Sequence, residues 1–321
     1  MPPTPHPLAT ARQIAHPPSR ADGVPARLEA DLRAVGCMMI QEAGVMLKLP
    51  QSTLATAQVV FHRFFYVSSL ASFGVNDLSV SCLYLATKLN ETPARLRDII
   101  NTYMFLQARV RHLLSLPAGT PLPRNLRPGS KGDEIWTGFS FSIPSFHSTV
   151  FWEWKEAIQY NELQVLKRLG FNMQVDLPYS HVINYLKILD LVFDDGVAQL
   201  CWSILNDAHL TPLNAQQPTH VLAVASITLA TRLRQIALPE GWYLLFDVIW
   251  DDVAPVCATI VQLWRDWGCA PVEFDATADG REDERAREDR WRRAWTLAES
   301  RKAVRKWVEE SKSSQDIHPT L

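Results

Sequence analysis

Leu85-Ala86-Thr87-Lys88-Leu89 returns 144 positions later as Leu229-Ala230-Thr231-Arg232-Leu233. Each copy closes an apolar segment of helical period. In the first, Leu78, Cys82, Leu85 and Leu89 fall on one helical face, while Val80, Leu83 and Tyr84 cover much of the rest. In the second, which runs from Pro218 to Ile236, Val221, Ala225, Leu229 and Leu233 rebuild that face. A helix apolar nearly all round belongs at the centre of a domain. Recurrence at about half the chain length points to one helical unit used twice, not to a solenoid of short repeats.

The neighbouring helices follow from period and punctuation. Leu28 to Leu49 carries a buried stripe and stops at Pro50; Ser52 is placed to cap a second helix reaching about Ser72. The central helix spans about Asp77 to Leu89 and ends at Asn90-Glu91-Thr92-Pro93, with Thr92 as cap for a fourth helix over about Ala94 to Leu114. A fifth, about Trp152 to Leu169, closes the unit with Gly170 at its C′ position. The second unit restates the plan: Asp176-Leu177-Pro178 opens a helix to about Leu191, and Asp194 or Asp195 opens one to about His209. The central segment, a short aromatic stretch from Trp242 to Val248 and a helix from Asp251 to about Trp267 follow. With no convincing period-2 run, the expected fold is all-α: two five-helix bundles over 28–172 and 173–270, each with a central apolar third helix.

Three segments lie outside this plan. Residues 1–27, with seven prolines in the first 26 positions, read as a disordered Pro-rich arm. Residues 117–150 hold five prolines and four glycines and form a loop insertion, whose distal part, Trp136 to Phe146, keeps aromatic residues able to dock on the surface. Residues 271–321 form a charged, partly helical tail. Within it, 281–306 carries ten Lys or Arg and six Asp or Glu, with Trp291, Trp295 and Ala298 at helical spacing. Those tryptophans serve either to pack a mixed-charge helix back on the body or to greet a partner.

Composition narrows the function. A net charge of −2 lacks the cationic excess of a nucleic-acid binder, so no direct nucleic-acid contact is expected. Five cysteines (37, 82, 201, 257 and 269) with no C-x-x-C pair read as reduced thiols, four of them in apolar helical contexts. No apolar leader region and no run of 18 uncharged apolar residues is present, so neither secretion nor a membrane is expected. Asp194-Asp195 and Asp251-Asp252 sit at helix starts, where carboxylates cap and oppose the macrodipole, and lack a third ligand at metal spacing. There is no Gly-rich phosphate loop, His-Glu-x-x-His or Gly-x-Ser-x-Gly, and His62 reads as a surface or boundary residue. Neither catalysis nor a cofactor or metal is expected. What stands out is charge at the end of an apolar helix: Lys88, with Glu91 three residues on, and Glu162 on the fifth helix.

Phe61-His-Arg-Phe-Phe-Tyr66, Cys82-Leu-Tyr-Leu-Ala-Thr-Lys-Leu-Asn-Glu-Thr-Pro93 and Arg97-Asp-Ile-Ile-Asn101 resemble the first cyclin box of the transcription-type cyclins, the cyclin L/K/T group, and above all cyclin L. Glu162-x-x-x-Leu166-Lys-x-Leu-Gly-Phe171 resembles the fifth helix of that box, and Pro239-x-Gly-Trp-Tyr-Leu-Leu-Phe246 the cyclin L form of the second. The likeness covers about 36–268 and implies tandem cyclin boxes. It implies a regulatory subunit, without its own catalytic site, that binds a transcription-class cyclin-dependent kinase as a heterodimer in the nucleus and acts on RNA polymerase II transcription or pre-mRNA processing. In the family, binding presses the kinase C-helix inward, seating its Glu against the β3 Lys and ordering the activation loop. By resemblance, Lys88 and Glu162 hydrogen-bond kinase backbone, with Glu91 beside them, while Leu85, Leu89 and Leu166 belong to the apolar groove of the third and fifth helices.

Several departures qualify the resemblance. Asn90 stands where relatives often carry Glu, which bears on kinase choice. Gly36-Cys-Met-Met-Ile-Gln41 lacks the Arg-bearing motif by which cell-cycle cyclins dock substrates. A charged helix at about 281–310 stands in place of the Arg/Ser-rich tail of animal cyclin L. Two other readings share the double fold: a TFIIB-like transcription factor, which needs a basic face and usually a zinc ribbon, and a scaffold without a kinase.

Overall fold

The computed structural model describes residues 7–117, 134–194, 196–267 and 280–317. Its helices are α1 (Ala11–Ala15), α2 (Pro18–Ala21), α3 (Ala26–Met46), α4 (Gln51–Phe64), α5 (Val75–Leu89), α6 (Leu96–Ser115), α7 (Thr149–Arg168), α8 (Tyr179–Ile188), α9 (Val197–Ala208), α10 (Leu213–Gln216), α11 (Thr219–Leu233), α12 (Trp250–Trp267), α13 (Gly280–Ala298) and α14 (Arg301–Ile317). Short 3-10 turns occupy Glu134–Trp136 and Trp242–Phe246. Among the described residues the architecture is all-α.

Helix α5 is packed by α3, α4, α6 and α7, and α11 by α8, α9, α12 and the second 3-10 turn. Leu78, Val80, Cys82, Leu83 and Ala86 of α5 are fully buried, as are Ala223, Val224, Ala225, Ile227 and Ala230 of α11. The sequence repeat extends to the way the two helices stop. Glu91 (φ 52°) and Gln235 (φ 56°), again 144 positions apart, both take the left-handed conformation. Each lets the next N–H reach back, Thr92 to the Thr87 carbonyl and Ile236 to that of Thr231, both at 2.9 Å. This is the Schellman closure, which satisfies a helix-end carbonyl and turns the chain. Close approach of α3 and α4 explains two helical glycines: a methyl at Gly36 would overlap the Phe61 ring, and one at Gly44 the Leu54 side chain.

Two apolar clusters result, one built on α3–α7 and one on α8–α12. Helix α4 lies on the seam, since its Ala55 packs into the second cluster. Polar groups cross there as well. Arg63 Nη1 donates to the Gln174 carbonyl at 2.7 Å, and Tyr179 Oη donates to Asn206 Oδ1 at 2.8 Å while lying 3.5 Å from Gln51 Nε2. His62 is a correction to the sequence reading. It is fully buried on α4, with Nε2 3.1 Å from both the His209 carbonyl and Cys37 Sγ. A helix face that closes against a second bundle cannot be told from a solvent face by its own periodicity.

The disordered arm is also corrected over its described part. Pro18 opens α2, where a fixed φ suits the first helical turn, and Thr10 and Gln13 form a capping box on α1. Ser19 is buried and accepts the Leu70 N–H at 3.1 Å, Val24 enters the first core, and the Ala9 N–H donates to Ala215 O at 2.7 Å. Residues 1–6 lie outside the described residues. Smaller corrections concern ends: α4 stops at Phe64, Pro50 and not Ser52 holds its N-cap position, and Arg95 holds that of α6. Thr92 instead lies 3.0 Å, hydroxyl to hydroxyl, from Thr53. In the second bundle a 3-10 turn stands in place of a fourth long helix. Asp195 and Cys269 lie outside the described residues; Cys37, Cys82, Cys201 and Cys257 are free thiols.

The distal insert docks on α6. Trp136 stacks on His112 with centroids 5.8 Å apart, Phe139 and Phe141 meet Phe105 at 5.9 and 5.3 Å, and the buried Arg109 guanidinium lies 5.0 Å from the Trp136 ring. The tail packs back on the body, with Ala294, Trp295, Leu297, Ala298, Val304 and Val308 buried in the first core. Arg290 fastens it. Its Nε lies 2.6 Å from Asp31 Oδ1 on α3, and its Nη1 2.6 Å from Asp266 Oδ1 at the end of α12. One guanidinium thereby joins the tail to both bundles.

Two outcomes test this arrangement. Arg290→Ala leaves the fully buried Asp31 without its cation and should cost about 3–5 kcal/mol in a urea denaturation, against little loss for Arg290→Leu combined with Asp31→Leu. The second concerns pH. Burial, and then the charge of Arg33, lower His62 to about 3, and burial lowers His209 to about 4, so both fold neutral. A depressed histidine loses stability as pH falls below its unfolded value near 6.5. Asp207, raised to about 6 by burial against the Trp264 hydrogen bond, acts in the opposite sense, as do Asp31 and Asp77, both raised by burial. Lowering pH from 7.5 to 5 should therefore cost up to about 2 kcal/mol per histidine. His62→Gln should flatten that slope in thermal melts.

Candidate functional site

The Schellman turn fixes where the last turn of α5 presents its side chains. Lys88 projects there, across the groove between α5 and α7, and its Nζ meets Glu162 Oε1 at 2.6 Å. The ammonium also lies 3.9 Å from the centroid of the Tyr84 ring, one turn back on α5. The lysine side chain is 46% exposed and the glutamate 15%. The pair is thus half-open: held in one geometry by a carboxylate and a ring face, yet with donor capacity directed outward.

The structure brings Lys88 and Glu162 together directly, although 74 residues separate them. Leu89 is exposed beside Lys88, and Glu91 is exposed at the left-handed turn. Leu166, one turn beyond Glu162, is partly buried and packed on the first core. Leu85 lies deeper than the other groove residues. With 4% of its surface exposed, it packs mainly within the first core. Asn90 has a local partner too, donating from Nδ2 to Thr56 Oγ1 at 3.1 Å and so tying the end of α5 to α4.

Sequence reasoning missed Tyr84 as the platform for Lys88, and an outward stripe on α7. Trp152, Tyr160 and Leu163 are exposed at i, i+8 and i+11, with Glu156 and Lys167 continuing the same face. Spacing alone could have found that stripe, because Ile158, Asn161 and Val165 already supply the buried side of α7. The apolar stripe lies on α7, the helix that also carries Glu162, while Lys88 comes from α5. Such a surface can fix a partner's register through directed hydrogen bonds while apolar burial supplies most of the affinity. Among the described residues no group of three or more His, Cys, Asp or Glu is placed to hold a metal ion.

Comparison with known proteins bears on the family and the fold. Residues 9–110 match the family model for the cyclin N-terminal domain. Cyclin-L2 of Homo sapiens is 33% identical over 77% of this chain and 43% of its own length. Cyclin-L1 of Homo sapiens is 32% identical over 81% of this chain and 44% of that protein, and Cyclin-L1 of Xenopus laevis 32% over 80% and 47%. The chain spans less than half the length of these relatives. Among solved structures, a chain of the yeast RNA Pol II CTD kinase CTDK-1 complex superposes with a TM-score of 0.61 at 20% identity, over 85% of this chain and 78% of that one. A chain of the CAK complex of Chaetomium thermophilum does so with a TM-score of 0.50 at 14% identity, over 90% and 79%. At those identities the likeness speaks for the fold.

A half-exposed pair contributes little to folding. Lys88→Ala should change the unfolding free energy of the chain alone by less than about 1 kcal/mol in urea melts. A much larger loss would make the pair a structural element and remove the reason to assign it to a partner.

Proposed function

Because this chain belongs to the cyclin family, we propose that it is the activating, regulatory subunit of a transcription-class cyclin-dependent Ser/Thr kinase. It acts in the nucleus on RNA polymerase II transcription or pre-mRNA processing. The chain supplies no catalytic group of its own, forms a heterodimer with the kinase, and contacts neither nucleic acid nor membrane. The observation that carries this reading is the Lys88–Glu162 pair at 2.6 Å, set between α5 and α7 with exposed Leu89 next to Lys88. Relatives named Cyclin-L1 and Cyclin-L2 support it.

The mechanism follows from that surface. Kinase backbone carbonyls and N–H groups take hydrogen bonds from Lys88 and give them to Glu162, which sets the rotation of the docked C-helix. Apolar burial around Leu89 and the α7 stripe holds the helix inward, with Leu166 closing the floor of the groove and Glu91 at its rim. An interface of about 1,600 Å² in total is the size such a stable pair needs. An inward C-helix seats the kinase Glu–Lys ion pair, the geometry phosphoryl transfer requires.

The test is reconstitution with candidate transcription-class kinases, comparing the parent with a Lys88→Glu/Glu162→Lys exchange. The exchange keeps an opposite-charge pair inside the chain, so folding is preserved while the polarity offered to the kinase is reversed. The parent should bind a kinase stoichiometrically and raise its activity on a polymerase tail peptide. The exchange should weaken binding at least tenfold at unchanged melting temperature. If no kinase binds the parent, the chain is a scaffold or a nucleic-acid-linked factor instead.

A further inference from the structure

The second bundle carries its own exposed apolar surface, far from neutral in its surroundings. Phe193, in the loop between α8 and α9, is 95% exposed. Ile188 at the end of α8, and Leu244, Leu245 and Ile249 around the second 3-10 turn, are exposed as well. Contacts bring these segments to one end of the bundle. Tyr185 of α8 stacks on Phe246 with centroids 3.9 Å apart, so Ile188 lies one helical turn from the 3-10 segment. The Arg234 guanidinium, just past α11, packs on the backbone of Gly196 and draws the Phe193 loop to the same end. Arg232 lies 5.2 Å from the Trp250 ring, which brings in the start of α12.

The segments at this end expose six carboxylates, Asp190, Asp194, Glu240, Asp247, Asp251 and Asp252, against three cations, Lys187, Arg232 and Arg234, a net acidic balance. Residues 173–267 hold ten Asp or Glu against four Lys or Arg, so the bundle is strongly acidic although the whole chain is nearly neutral. Asp251 and Asp252 stand in the first turn of α12, and their charge opposes the helix dipole. That accounts for two of the six, but not for the exposure at one end of two leucines, two isoleucines and a phenylalanine. Scattered exposed apolar residues are ordinary, whereas a cluster rimmed by charge marks a contact surface.

We propose that this end of the second bundle docks a peptide segment of a partner protein in which Lys or Arg flanks apolar anchors. Charge selects that occupant. A second copy of this chain would set one acidic rim against another, and phosphates of nucleic acid or of an anionic lipid surface would be repelled in the same way. A basic segment gains steering from the rim and burial from Phe193, Leu244, Leu245 and Ile249. The surface shares no residue with the Lys88–Glu162 site.

The test uses the full chain and a fluorescein-labelled 14-residue peptide of leucine and lysine, with its glutamate-for-lysine counterpart as control, read by anisotropy. The lysine peptide should bind, the glutamate peptide should not, and binding should fall at least threefold between 50 and 200 mM salt. Phe193→Ser and Leu245→Ser, both at exposed positions where folding is undisturbed, should each weaken binding about tenfold. Asp251→Asn/Asp252→Asn should weaken it and reduce the salt dependence, while Lys88→Glu/Glu162→Lys should leave it unchanged. Equal affinity for parent and both serine variants would overturn the proposal. Concentration-dependent dimerisation in sedimentation, abolished by Leu245→Ser, would overturn it in favour of a self-interface.

Discussion

Everything in this molecule is arranged around the need to keep two helices out of water. Helices α5 and α11 are apolar on nearly every face, so neither can lie at a surface without exposing several large side chains, each worth about 1.5–3 kcal/mol of burial. Surrounding helices are the answer, and they must cover the centre from every side. The first bundle does so with α3, α4, α6 and α7, and also recruits the tail. The second has only a 3-10 turn where α6 would stand, which brings Leu244 and Leu245 outward while Trp242 and Phe246 point in. A shorter wall on one bundle thus creates a surface the other does not have.

The same constraint explains which charges are structural. Asp31 is fully buried and must keep Arg290, whereas Lys88 and Glu162 are close in distance but remain wetted. Desolvation separates the two cases, because removing one member of a buried pair strands a charge while removing one member of a wetted pair strands nothing. An ion pair that folding does not require is free to be specified by a partner.

Much of this was legible in the sequence because it rested on local period. The central helices, the order of the bundles and Lys88 at the end of α5 follow from spacing alone. The joining of Lys88 to Glu162 came from resemblance, since no periodicity relates residues 74 positions apart. What escaped was decided by contacts between distant segments. His62 reads as a boundary residue until α4 is seen to face the second bundle, and the proline-rich arm reads as disorder until Ser19 meets Leu70. Trp291 and Trp295 left two readings open because an apolar stripe does not say whose surface it fits. Arg290, with Asp31 on one side and Asp266 on the other, decides for this chain's own.

The duplicated bundles also show how one fold is turned to two uses. The helix ends are equivalent down to the left-handed residue, Glu91 or Gln235, so the backbone offers the same platform twice. The side chain at the repeated position differs in what it meets. Lys88 faces a carboxylate on α7, while Arg232 lies over the Trp250 ring with no ion pair among the described residues. A directed pair sets orientation; a guanidinium on a ring adds packing without offering paired polarity outward. On the proposed reading, register-setting belongs to the first bundle. On the second, the proposed docking surface would rely on exposed apolar side chains and a net acidic field, a combination that selects partners by charge and tolerates variation in their exact pose.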